Sequence, residues 1–153
     1  MMAPIARSGV VGPSKPMASK GRPFRRVLFE GFEILIGRGA QENDALSFGV
    51  AAQSDAWLHV AGGTPGSHVV IRNPEKVPLP KAVVERAASH AAWFSKAKNA
   101  ASAEVHYCLV SDLRKAKGAP AGQVQLRRYK SVRVRPEPPA PSAEAAEGEP
   151  EQD

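Results

Sequence analysis

The stretch "DAWLHVAGGTPGSHVVIR", from Asp55 to Arg72, decides how the chain folds. Its two ends, "DAWLHVA" and "SHVVIR", are rich in the aromatic and β-branched residues that suit a pleated, half-buried surface, and "GGTPG" between them interrupts any regular element. Two strands around a turn are therefore predicted. Side chains alternate along a strand, so Asp55, Trp57 and His59 share one face.

Working outward, "RRVLFEGFEILIGR" has apolar runs at Val27 to Phe29 and Phe32 to Ile36 separated by Glu30 and Gly31, a hairpin signature. Gln41, Asn43 and Asp44 ahead of Leu46 and Phe48 predict a short capped helix. Pro80 suits a first helical turn. From there to about Lys98, Val83, Ala87, Ala88, Ala91, Ala92, Phe94 and Ser95 recur at helical spacing. An alanine-lined face lets that helix approach a sheet closely. "AEVHYCLV" and "GQVQLRRYKSVRVRP" read as further strands, the last with Val132 and Val134 inward and Arg133 and Arg135 outward. The expected fold class is α+β: a mostly antiparallel sheet with one principal helix packed on it and a short second helix.

The chain has 153 residues, room for one domain between two tails. Residues 1–23, basic and interrupted by four prolines and three glycines, are expected to form a flexible tail; residues 24–136 the domain; residues 137–153 a disordered acidic tail. No apolar run reaches the roughly 20 residues needed to cross a bilayer. No signal-peptide apolar region is present either, and a cytoplasmic location is expected. The single cysteine, Cys108, excludes an internal disulfide and is expected to be a buried, inert thiol. Formal net charge is +6, yet residues 1–136 hold all 21 Lys and Arg against nine Asp and Glu, an excess of twelve positive charges. Such an excess draws polyanions, with nucleic acid the first partner to consider.

Asp55, His59 and Ser67 invite a hydrolase reading, but no "GxSxG" turn surrounds the serine. The four histidines, His59, His68, His90 and His106, lack metal-ligand spacing, and no cofactor is expected. "GGTPGS" can gather backbone amides into an anion cradle, with Ser67 and His68 as neighbouring donors, or serve as a plain strand connection. It has no Walker lysine behind it. Basic clusters lie at Lys96 and Lys98, at Arg114, Lys115 and Lys117, and at Arg127, Arg128, Lys130, Arg133 and Arg135. Gathered beside the "PGSH" turn they would make a rim for phosphates, and an exposed Trp57 would stack on a base.

The segments "GFEILIGRGAQENDAL", "DAWLHVAGGTPGSHVVI", "AASHAAWFSKAK", "VHYCLVSDLRKAKGAPAGQV" and "SVRVRP" resemble, in order, the motifs of the NFACT-R domain, the RNA-binding domain of the NFACT proteins, over about residues 24 to 136. The resemblance implies an RNA-binding module for tRNA or ribosomal RNA, working in ribosome quality control at the large ribosomal subunit. No membrane or small-molecule partner is implied. Motif by motif it carries over Arg38, Asn43 and Asp44; Asp55, Trp57, Leu58 and His59; Pro65, Gly66, Ser67 and His68; Ser95 and Lys96; and Arg114, Lys115, Lys117 and Gly118. Leu58 is expected in the core. The chain reads Pro120-Ala121-Gly122 where the family usually has Lys-Pro-Gly, one positive charge fewer. It also lacks the N-terminal, helix-hairpin-helix and coiled-coil segments of full-length members, which points to a stand-alone form. A non-enzymatic binder is expected; the alternative is an RNA- or nucleotide-processing enzyme with His59 or His68 as acid or base.

Overall fold

The computed structural model describes residues 24–140. The expectations for the far N-terminal tail, and for the C-terminal tail beyond residue 140, lie outside them. Two short strands, β1 (Phe24–Phe29) and β2 (Phe32–Gly37), pair antiparallel around Glu30 and Gly31. Both turn residues have positive φ, 50° and 85°, which is why a glycine occupies the second place. A six-residue helix, α1 (Ala40–Ala45), runs into a π-helical turn at Leu46–Val50. Then come β3 (Ala56–Val60), β4 (Val69–Ile71), helix α2 (Lys81–Trp93), β5 (Ala103–Leu109), a 3-10 turn at Val110–Asp112, the short β6 (Leu113–Arg114) and β7 (Gln125–Leu126), and β8 (Lys130–Val134).

Six strands form one sheet in the order β1-β2-β4-β3-β5-β8, every neighbouring pair antiparallel. The α+β reading is the fold. Its register puts alternate residues on opposite faces. Ala56, Leu58 and Val60 of β3, with Ile34, Ile36, Val69, Ile71 and Val105, meet Val83, Ala87, Ala88, Ala91 and Ala92 of α2. All five of those helix residues are fully buried, and their small side chains set α2 close to the sheet. Leu35, Trp57 and Val70 point the other way, onto Leu46 and Val110, with Leu113, Val124 and Leu126 packed around them. The sheet is thus covered on both faces near its centre. Its second face receives the π turn and the small β6-β7 hairpin in place of a long helix.

Three sequence expectations shift. Helix α2 ends at Trp93 rather than near Lys98, because Ser95 turns back: its hydroxyl donates to the Ala92 carbonyl at 2.7 Å and accepts from the Ala97 amide at 2.9 Å. Such local bonds compete with helix continuation. The last predicted strand divides into β7 and β8, which belong to different sheets, since the Arg127 amide is held by the Asp112 carbonyl at 2.8 Å. Lastly, Gly39 precedes α1 and gives it no side-chain cap, and the helix's asparagine and aspartate are used elsewhere.

Candidate nucleic-acid interface

On the second face, polar residues fall into two groups. The first is sealed. Asn43 is 5% exposed; its side-chain oxygen accepts from the His68 amide at 3.1 Å and its amide nitrogen donates to the Gly66 carbonyl at 3.3 Å. α1 is thereby pinned to the Gly-Pro loop. Gly37 makes room for this, for a Cβ there would lie 2.0 Å from the Asn43 side-chain oxygen. Trp57 is 2% exposed and its indole N–H donates to the Ser47 hydroxyl at 2.9 Å. Ser47 in turn meets His68 Nδ1 at 2.8 Å, while His68 Nε2 meets the Gly122 carbonyl at 3.1 Å.

A carbonyl only accepts, so His68 Nε2 carries a proton, and the indole only donates, so the Ser47 oxygen accepts from Trp57. Burial, with His59 nearby, pushes the His68 pKa from 6.5 down to about 4, which leaves the ring neutral near pH 7. Its unprotonated Nδ1 then accepts from the Ser47 hydroxyl. Both ring nitrogens are committed, and at 1% exposure His68 offers no acid or base to a substrate. Asp55 is likewise engaged: it is 0% exposed, accepts from the Ala52 and Asn73 amides at 2.9 and 2.6 Å, and pairs with Arg72 at 2.7 Å. Stacking on a base requires an exposed indole. Trp57 is sealed, and that role is withdrawn from it.

The second group is open. A groove of about 940 Å³ runs between the Gly62–Ser67 loop, the end of α2, Arg38 and the Pro120–Val124 loop. Its construction depends on a close approach: the Ser67 amide donates to the Phe94 carbonyl at 3.0 Å and the Lys96 amide to the Pro65 carbonyl at 3.3 Å. Gly66 permits it, since a Cβ there would sit 2.6 Å from Ser95 Cβ. The charged residues lining the groove are Arg38 and Lys96, with no carboxylate among its lining residues. Imidazoles of His59 and His106 face it from β3 and β5, where the two residues are direct cross-strand partners. Burial holds the His59 pKa below 6.5. Tyr129 completes that side, its ring 4.1 Å from His106 with a 30° tilt.

The structure accordingly brings together Arg38, Asn43, Trp57, His59, Pro65, Gly66, Ser67, His68, Ser95 and Lys96 around one groove, although Asn43, Trp57 and His68 are built into its wall. Asp44 braces the wall from outside, accepting from the Gly122 amide at 3.0 Å and pairing with Lys115 at 2.9 Å. Lys115 also donates to the Pro120 and Gln123 carbonyls at 2.6 and 2.9 Å, so this expected phosphate contact is a strut of the 120–123 loop. Lys98 lies over the Trp93 ring at 4.6 Å, and Trp93 lines the groove. Arg114 and Lys117 are exposed but outside the lining. Arg127 and Arg128 turn to Asp112, at 2.8 and 3.8 Å. Cys108 is half-buried and burial pushes its thiol up to about 12, an unreactive state. His106 and Tyr129 were not singled out from sequence. Their signal was the basic-aromatic run "RRYK" and the strand alternation of "EVHYC", legible only once β5 is set beside β3.

A family model described as the NFACT protein RNA binding domain matches residues 24–128. The Rqc2 homolog RqcH of Bacillus subtilis is 41% identical over 107 residues, 70% of this chain and 18% of that protein. The Rqc2 homolog RqcH of Streptococcus suis is 37% identical over 103 residues, 67% of this chain and again 18% of that protein. Among solved structures, the C-terminal part of the fibronectin/fibrinogen-binding protein from Streptococcus suis superposes with a TM-score of 0.69 at 32% identity, covering 84% of this chain and 49% of that one. The chain thus spans 18% of the length of the curated relatives it matches.

Proposed function

Since the chain belongs to the NFACT protein RNA-binding domain family, we propose that its groove is an RNA-binding site and that the protein serves ribosome quality control, holding tRNA or ribosomal RNA in contact with the large ribosomal subunit. The observation that carries this reading is the lining itself: Arg38 and Lys96 are its charged groups, no carboxylate opposes them, and histidines and aromatic rings fill the space between. Cations without competing carboxylates suit a sugar-phosphate chain, and flat rings suit bases. The domain works as a binder in the cytoplasm, without cofactor or chemical step. The buried state of His68 supports this over catalysis, because an acid or base must reach its substrate.

The test is a fluorescence titration of labelled tRNA and of a large-subunit ribosomal RNA fragment at several salt concentrations. Affinity should fall steeply with salt, and the double change Arg38→Gln, Lys96→Gln should lower the slope of log K against log salt by about two. The RNA should be recovered intact on a denaturing gel. Salt-independent binding, or cleavage abolished by His59→Ala, would overturn the reading.

A further inference from the structure

We propose that Tyr129, backed by His106, is the stacking platform on which the groove takes an unpaired RNA base; this rests on the RNA-binding reading above and deepens it. Tyr129 is 52% exposed, whereas Trp57, the aromatic residue that the sequence favoured, is 2% exposed. Among the described residues, five large hydrophobic side chains are markedly exposed: Leu28, Phe48, Val77, Leu109 and Tyr129. Of these, Tyr129 lines the groove.

The ring is held in place. His106 lies against it at 4.1 Å between centroids, and about half of the tyrosine is nonetheless exposed. His106 is itself fixed by β5, opposite His59 on β3 and Ser131 on β8. Just before the tyrosine, Arg127 is fastened twice to Asp112, by its amide to the carbonyl and by its guanidinium to the carboxylate, both at 2.8 Å. The segment that presents Tyr129 is thereby anchored, so little ordering entropy is lost when a base arrives. Lys130, next in the chain, is exposed, while Arg128 is turned to Asp112 at 3.8 Å. A flat, anchored ring lining a groove whose charged side chains are Arg38 and Lys96 matches a nucleobase whose own phosphates reach those cations. Bases inside a duplex keep their faces covered by their neighbours. The platform therefore selects single strands, loops and ends.

The experiment uses the full chain and two probes: a fluorescein-labelled 12-nucleotide RNA without self-complementarity, and the same strand annealed to its complement. The wild-type chain should prefer the single strand. Tyr129→Ala should weaken single-strand binding about 5- to 150-fold, the range for loss of one base–aromatic stack, and leave the salt slope unchanged. Tyr129→Phe should bind like wild type. Ultraviolet crosslinking of a 5-bromouridine strand, mapped by mass spectrometry, should place the adduct on Tyr129 or His106. Unaltered affinity in Tyr129→Ala, with RNA still bound, sinks the platform and leaves the RNA-binding reading standing. An adduct confined to other residues does the same. A wild-type chain that binds neither probe nor tRNA sinks both.

Discussion

Polar residues on the second face of the sheet do two different things a few ångströms apart. Asn43, Ser47, Trp57 and His68 are buried and bonded to one another or to backbone, whereas Arg38, Lys96, His106 and Tyr129 face an open groove. The first group is the more eye-catching in sequence, and its work is to hold α1, the π turn and two loops in register. In the second group Arg38 and Lys96 are legible through the family motifs, whereas His106 and Tyr129 carry little individual signal, yet all four line the groove. Residue types that signal chemistry serve equally well as buried fasteners, and fractional exposure separates the two uses.

The largest effect that would break this distinction lies at Asp55. Its carboxylate is fully buried against Arg72 and two amides, so Asp55→Ala strands a guanidinium and two donors at once. Removing one partner of a buried pair costs about 3–5 kcal/mol. Urea denaturation should register that loss, while Arg38→Ala should fall within about 0.5 kcal/mol of wild type. A loss under about 1 kcal/mol at Asp55 would mean that the sealed group is not holding the fold.

His68 sharpens the comparison through pH. Its folded pKa of about 4 lies below the unfolded 6.5, so between those values the unfolded chain binds more protons. Stability is full above about 6.5, declines as pH falls toward 4, and stops changing with this group below that. The whole contribution is about 3 kcal/mol. His59 and His90, whose pKa values burial also lowers, act in the same direction. Unfolding midpoints measured from pH 7 to pH 4.5 should drop less in His68→Gln than in wild type. Equal slopes for the two proteins would show that His68 is not the neutral link between Ser47 and Gly122.

Much of the fold was legible because its determinants are local. The "FEGF" turn, the strands either side of "GGTPG" and the alanine stripe of α2 each announce themselves within a dozen residues, and each formed in its expected place, α2 ending early at Trp93. The family motifs likewise located the groove, since Arg38, Pro65 to His68, Ser95 and Lys96 all border it. The use of each residue was another matter. Whether Trp57 is covered depends on the π turn and on Val110, brought in from far along the chain. That His106 faces His59 depends on strand register, and that Tyr129 is lifted into view depends on the Asp112 fastening that splits the last strand in two. Such long-range pairings leave no periodic trace.

The smallest and finest contrast sets two lysines against each other. Both belong to the basic segments expected to meet phosphates. Lys115, however, spends its ammonium group on Asp44 and on the Pro120 and Gln123 carbonyls, while Lys96 is exposed at the groove with its backbone alone tied to Pro65. Lys115→Met should therefore lower unfolding free energy by about 1.5–3 kcal/mol, the scale of hydrogen bonds to a charged group, and leave the salt slope for RNA as it was. Lys96→Met should do the reverse: stability within about 0.5 kcal/mol of wild type and a salt slope smaller by about one. If instead the two variants shift stability and slope alike, strut and contact are not separate, and the loop that Lys115 braces is itself part of what the RNA grips.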